Sequence, residues 1–389
     1  MNQQAGNVLC SMLASALHQQ NTTKEYVPDC EKQVRELADK HKVLPLLYDF
    51  WNREENIGKL CRQTVSQSYH LLFLGKYIVN LLEEQQIESI LLKGSSTAEF
   101  YPVPELRKSG DVDLLLRDEQ AVTAACKCLK LHGFVQKEEQ MAQHHVVCIS
   151  PDQISVELHS SLTEPFDDPK INRLLVTQQK EFFRFRIWKP LMGVKLPVLG
   201  MPYHAYYLLL HMLQHFLRAG FGIKLLCDWV CLWEHGCTKE EREIFLRLVR
   251  ESRIEQFAVM VTALCVRKLA LSPEKVEFWA KEIHQISKAD MDEFFAEILE
   301  AEEFGRSDES RMVVMRGTRL GDYIREFHHQ TMLTYPRAGK FPPAFPVLWV
   351  MMLAGFCYRN KHLRGISGHE VLKKAKKRSK LVEKMKLFV

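Results

Sequence analysis

The pattern of apolar and polar positions divides the chain by texture. Residues 1–86 read as helices; within 70–85, Leu71, Leu74, Ile78, Leu81 and Leu82 share one face at the helical repeat. From residue 87 the apolar runs shorten. Residues 87–92 form a brief run ending at Lys93-Gly94, and 112–116 form another ending at Arg117-Asp118. Asp118 is placed to cap a helix running to about His132 and closed by Gly133. Two further strand-like runs, 146–149 and 154–158, flank Ser150-Pro151-Asp152-Gln153, a composition suited to a hairpin turn. Residues 87–160 therefore predict strand, helix, strand, helix, strand, strand.

Residues 161–200 resist such a reading, because Pro165, Pro169, Pro190 and Pro197 interrupt short apolar pieces. A helical pattern resumes at Tyr203 and runs to about residue 303. Residues 341–358 are strongly apolar, but the proline-free part, 347–358, is 12 residues long. A spanning helix needs about 20, so a buried helix is expected there. The predicted fold class is α+β, a small mixed-sheet core flanked by N- and C-terminal helical regions. The expected units are a helical region over 1–86, the sheet core over 87–200, a helical domain completing a cleft over 201–310, and a C-terminal helical segment with a basic tail over 311–389.

With 46% apolar and 26% charged residues, the composition is that of a folded globular chain and excludes wholesale disorder. The eleven cysteines include no C-x-x-C pair. Together with an N-terminus that lacks a basic segment and apolar core, they lead us to expect reduced thiols and a cytoplasmic location. Charge is unevenly placed. Residues 359–389 hold eleven Lys or Arg against two Glu, a local +9, so the net +5 leaves −4 for the rest. A uniformly basic nucleic-acid binder is not indicated. The tail over 373–386 is a solvated helical end by its composition, with RNA or an anionic membrane surface as alternative partners.

Three pieces of the sheet region carry chemistry. The first is Leu91-Leu92-Lys93-Gly94-Ser95-Ser96, a strand running into Gly-Ser and a helix start. Glycine lets backbone approach a phosphate, and a helix N-terminus offers free N–H groups to an anion. The second is Gly110-Asp111-Val112-Asp113-Leu114-Leu115-Leu116. Residues i and i+2 of a strand share a face, so Asp111 and Asp113 present two carboxylates together. Adjacent carboxylates repel unless a cation lies between them, and acids at the mouth of a buried strand suit Mg²⁺ carrying a nucleotide phosphate. The third is Glu157, inside Val156-Glu157-Leu158-His159. Alone it reads as a solvent-facing acid; beside the other two pieces it reads as a site residue.

The order of Gly-Ser, Asp-x-Asp at a strand start and a lone carboxylate on a later strand resembles the DNA polymerase beta-like nucleotidyltransferase superfamily. More narrowly, Leu92-Lys93-Gly94, Tyr101-Pro102, Arg107, Gly110-Asp111-Val112-Asp113-Leu114-Leu115 and Val156-Glu157-Leu158-His159 resemble a bacterial family of uncharacterised nucleotidyltransferases. The pattern extends to His211, His215, Gly222, Lys224 and Asp228, covering roughly residues 30–235. The fifteen residues between Ser95 and Asp111 are a long spacing for the superfamily, to be absorbed by a helix or loop over 99–109.

The resemblance implies a two-metal transfer of a nucleoside monophosphate from an NTP, with ATP the expected donor, to an unidentified acceptor hydroxyl, releasing pyrophosphate. Asp111, Asp113 and Glu157 would be the catalytic, metal-holding residues, with two Mg²⁺ ions expected and Mn²⁺ as the alternative. Lys93, Gly94, Ser95, Ser96, Arg107 and Lys224 would bind the nucleotide, and His159, His211, His215 and Asp228 would line the cleft. The alternatives are an inactive nucleotidyltransferase fold binding nucleotide, RNA or a protein partner, and a phosphotransferase on the same scaffold.

The helix from about Tyr203 carries His204, His211, His215 and Arg218 within about 60° of each other, a polar stripe on an otherwise apolar helix. It suits either solvent or a cleft wall. Lys224 and Asp228, four residues apart, fit a helix salt bridge as well as a phosphate contact. His211, His215, Cys227 and Cys231 have zinc-like spacing, against which buried helix-packed thiols are the better account.

Overall fold

The computed structural model of the chain describes residues 3–20, 30–137, 145–166, 168–218, 220–301, 320–335, 341–363, 379–385 and 387. The N-terminal region is helical, with α1 Gln3–Leu17, α2 Glu31–Lys40 and the long α3 Glu55–Glu84. The sheet region follows as β1 Ser89–Leu91, α4 Ser95–Ala98, β2 Asp111–Leu116, α5 Glu119–Leu131, β3 Val135–Gln136, β4 His145–Ile149, β5 Ser155–His159, α6 Pro169–Arg184, β6 Arg186–Leu191 and β7 Val194–Leu199. Helices α7 Met201–Arg218, α8 Ile223–His235, α9 Lys239–Glu251, α10 Glu255–Lys268, α11 Ala280–Gln285 and α12 Lys288–Ala301 come next, then α13 Leu320–Thr334 and α14 Phe345–Leu363.

The seven strands form one mixed sheet in the order β3-β4-β5-β2-β1-β7-β6, so the fold is α+β with helical flanks. Strand β2 lies near the middle, antiparallel to β1 and parallel to β5. Alternation along β2 sorts its two faces. Val112, Leu114 and Leu116 pack with Val156 and Leu158 of β5 against α3 and α5, where Leu71, Leu74, Ile78, Leu81 and Leu82 are all buried. The opposite face carries Asp111, Asp113 and Leu115, and Leu115 joins a larger apolar cluster built from α1, α2, α7, α8, α10 and α12. The helices flanking the sheet in sequence thus share one core.

The local signals acted as expected around Asp118, whose carboxylate accepts from Ala121 N–H at 2.8 Å, and at Gly133, which takes the left-handed φ of +83° after α5. Residues 161–200 resolve into α6 and the β6–β7 hairpin. Pro169 occupies the first turn of α6 behind its Asp168 cap, where a missing N–H is harmless. Pro190 sits on the edge strand β6. The hairpin turns at Met192-Gly193, both at positive φ.

Two expectations are corrected. Helix α14 is not buried: Leu348 and Met352 are, but Val347, Val350, Met351, Leu353 and Tyr358 are each at least half exposed. Its apolar residues ring the helix while only one side is covered. Among the described residues no helix is long and apolar enough to cross a membrane. The described end of the basic tail is not wholly solvated either: Lys380, Glu383 and Lys384 are exposed, but its apolar face is buried. Leu381, Val382 and Met385 enter the larger core, and Lys384 pairs with Asp290 of α12. The remainder of the tail from 364 to 378, together with Lys386, lies outside the described residues.

Candidate active site

Parallel pairing sets Asp111 opposite Ser155, Asp113 opposite Glu157 and Leu115 opposite His159. Because Val156 and Leu158 face the α3/α5 core, Glu157 and His159 must share the other face with Asp113. Ligand atoms of Asp111, Asp113 and Glu157 all lie within 4.8 Å of one another. Three carboxylates this close are held by cations of the chain itself. Lys93 Nζ lies 3.1 Å from Asp113 Oδ1, and His159 Nε2 donates to the same oxygen at 3.1 Å while standing 3.4 Å from Glu157 Oε2. The second oxygen of Asp113, a residue only 1% exposed, has no hydrogen-bond partner among the described residues. A buried carboxylate oxygen without a partner is costly, and a bound cation would satisfy it.

The electrostatics follow from this crowding. Repulsion from Asp113, and then burial, hold the Asp111 carboxyl above its ordinary range. Burial works against the Lys93 ammonium, but Asp113 and Asp111 outweigh it and hold its pKa up. Burial also disfavours charge on Glu157, yet the hydrogen bond from His159 and the charge of Lys93 prevail and hold its carboxyl low. His159 is likewise raised, its carboxylate partners overcoming its burial. A raised carboxyl stabilises the fold below its unfolded pKa, and that contribution is lost as pH rises through the folded one. At neutral pH, therefore, ionised Asp111 opposes folding of the metal-free chain. Asp111→Asn is expected to raise the thermal midpoint of metal-free protein at pH 7, with a gain that shrinks on acidification; thermal melts across pH check this.

The strand β1 delivers Leu92 to Lys93, and the chain turns at Gly94, whose φ of +70° and ψ of −116° suit no side chain. A Cβ there would also stand 3.2 Å from Ser109 Oγ. Gly94→Ala is expected to destabilise by about 1–3 kcal/mol and to weaken NTP binding by moving the turn, as read by urea unfolding and nucleotide titration. The following helix, α4, is a single turn. Ser96 is buried, its hydroxyl donating to the Leu92 carbonyl at 3.0 Å. Ser95 is half-buried.

The long spacing between Ser95 and Asp111 has a structural use. It forms a loop carrying Tyr101 and Arg107 to α8, where Arg107 Nε and Nη2 each donate to Asp228 at 2.7 Å and Tyr101 Oη donates at 2.6 Å. Arg107 Nη1 also reaches the Gly94 carbonyl at 3.4 Å. Arg107 and Asp228 thus form a buried ion pair, and both line the same cavity as Lys224. A cavity of about 170 Å³ opens beside the acids, lined by Lys93, Gly94, Gly110, Asp111, His211 and Lys224 among others. That is below the range of about 300–1,000 Å³ usual for pockets that enclose a whole small-molecule ligand.

The polar stripe of α7 splits. His204 is buried, its Nε2 3.2 Å from Thr97 Oγ1 behind the Gly94 turn. His211 lines the cavity and packs edge-on against His215 at 4.4 Å between ring centroids. Burial lowers both, His211 well below its ordinary value and His215 to about 3. Arg218 pairs with Glu164. Among the described residues His211, His215, Cys227 and Cys231 form no metal-ligand group. One site residue was missed in the sequence: His145, directly opposite His159 on β4. Counting back from the 150–153 turn would have found it.

A structural relative is the antigenic nucleotidyltransferase-like protein from Paracoccidioides brasiliensis, 16% identical, with 46% of this chain and 88% of that one covered, at a TM-score of 0.31. A search of curated proteins gives no match. The model of the family described as uncharacterised nucleotidyltransferase matches residues 31–270, a span that holds β1, β2, β5 and the acids they carry, and the chain belongs to that family.

Proposed function

We propose that the protein transfers a nucleoside monophosphate from an NTP, with ATP the expected donor, to an acceptor hydroxyl. The acceptor oxygen forms a bond to the α-phosphorus as the bond from that phosphorus to the bridging oxygen breaks; pyrophosphate leaves, and the hydroxyl proton is lost. The observation that carries this reading is the convergence of Asp111, Asp113 and Glu157, with one buried Asp113 oxygen unpartnered. These residues would hold Mg²⁺, two ions by the resemblance to the polymerase beta-like superfamily, with Mn²⁺ as the alternative. Bound there, the ions would neutralise phosphate charge and ease loss of the acceptor proton.

The chain supplies the rest. Lys93 and Lys224 line the small cavity beside Asp111 and give positive charge for the β- and γ-phosphates. The Gly94 turn brings backbone close to them, and the Arg107–Asp228 pair fixes that turn. Glu157, with its carboxyl held low, is suited to ligation more than to accepting the proton.

Parallel incubations with ATP radiolabelled at the α- or the γ-phosphorus, across a panel of small hydroxylated molecules, peptides and RNA, test the reaction. Nucleotidyl transfer places the α label on an acceptor and the γ label in pyrophosphate. A γ label on the acceptor, with ADP formed, would replace the reading with phosphoryl transfer.

A further inference from the structure

Beside the three carboxylates lie two imidazoles to which the proposed reaction assigns no metal, grouped around Glu157. His145 and His159 stand directly opposite each other on antiparallel β4 and β5, and Glu157 is two residues before His159, on the same face. The ligand atoms of His145, Glu157 and His159 lie within 4.8 Å of one another, and the two rings are 5.3 Å apart between centroids. The 3.4 Å between His159 Nε2 and Glu157 Oε2 is long for a hydrogen bond between charged groups. Two ligand atoms each about 2.1 Å from one tetrahedral ion would stand about 3.4 Å apart. The carboxylate–imidazole spacing therefore also fits two ligands on a shared ion, which would displace the proton that His159 shares with Asp113 and Glu157.

We propose that His145, Glu157 and His159 form a distinct site for a borderline transition-metal ion of the Zn²⁺ or Co²⁺ class, with Glu157 shared between it and the Asp111–Asp113 centre. Two imidazoles select against Mg²⁺, which prefers oxygen and holds its water, whereas Asp111 and Asp113 offer oxygen alone. The centre then takes two chemically different ions. This deepens the proposed function without depending on turnover, since the histidine site can fill in the absence of nucleotide.

Co²⁺ is the probe, because imidazole-bound Co²⁺ absorbs visible light. Full-length protein stripped by chelator and given saturating Mg²⁺ is titrated with Co²⁺ without nucleotide. A visible band should rise to one equivalent, resist further Mg²⁺ and yield to Zn²⁺. His145→Ala should weaken Co²⁺ binding at least about tenfold, while Asp111→Asn keeps the band. Hyperfine-shifted imidazole N–H resonances from two histidines in Co²⁺-loaded wild type provide a reading that needs no variant. Displacement of Co²⁺ by Mg²⁺, unchanged affinity in His145→Ala, or resonances from fewer than two histidines would overturn the site. Nucleotide binding with Mg²⁺, measured separately, decides the transferase reading, so either can fail alone.

Discussion

Asp113→Asn is expected to give a folded chain that has lost transfer activity by a factor on the order of 10³ or more, the equivalent of several kcal/mol of charge stabilisation at about 1.4 kcal/mol per decade. Asp113 is the hub of the site: one oxygen takes both Lys93 and His159, and the other is free for a cation. The fold should survive, because Lys93 keeps Asp111 and Glu157 nearby and His159 keeps Glu157. Circular dichroism and thermal melting would show native structure while labelled-ATP assays show no product. Wild-type turnover in the variant would remove Asp113 from the mechanism.

The second large effect concerns stability. Asp228→Ala leaves the Arg107 guanidinium, 4% exposed, without its counter-charge, and deprives Tyr101 of its acceptor. Breaking a buried pair from one side destabilises by about 3–5 kcal/mol, a large part of a domain's total stability of about 5–15 kcal/mol. The double change Arg107→Met with Asp228→Leu removes both charges and should recover most of that loss. It should not recover nucleotide affinity, because the Gly94 carbonyl has lost Arg107. Urea unfolding of the single and double variants, beside nucleotide titration of the double one, separates the structural part of the pair from its positioning of the Gly94 turn.

Most of the sheet core was legible in the sequence because its signals are local. The strand over 112–116, the Asp118 cap, the 150–153 turn and the pairing of Asp111 with Asp113 each follow from neighbouring residues. What was illegible depends on distant ones. Prolines hid α6 and the β6–β7 hairpin, since Pro169 at a helix start and Pro190 on an edge strand read locally as breaks. The four-residue spacing of Lys224 and Asp228 says nothing of Arg107, 121 positions away, which donates to Asp228. The bond from the Ser96 hydroxyl to the Leu92 carbonyl likewise has no signature in the Gly-Ser-Ser run. The apolar run of α14 suggested burial, which composition can favour but only packing partners can supply.

The most direct test of the central claim is calorimetric titration of each NTP with Mg²⁺ into wild type and into Asp111→Asn/Asp113→Asn. Binding of one NTP that requires Mg²⁺ and disappears in the double variant is the predicted result. If no NTP binds the wild type, or the double variant binds equally well, the carboxylates do not form a metal–triphosphate site and the transferase account is contradicted.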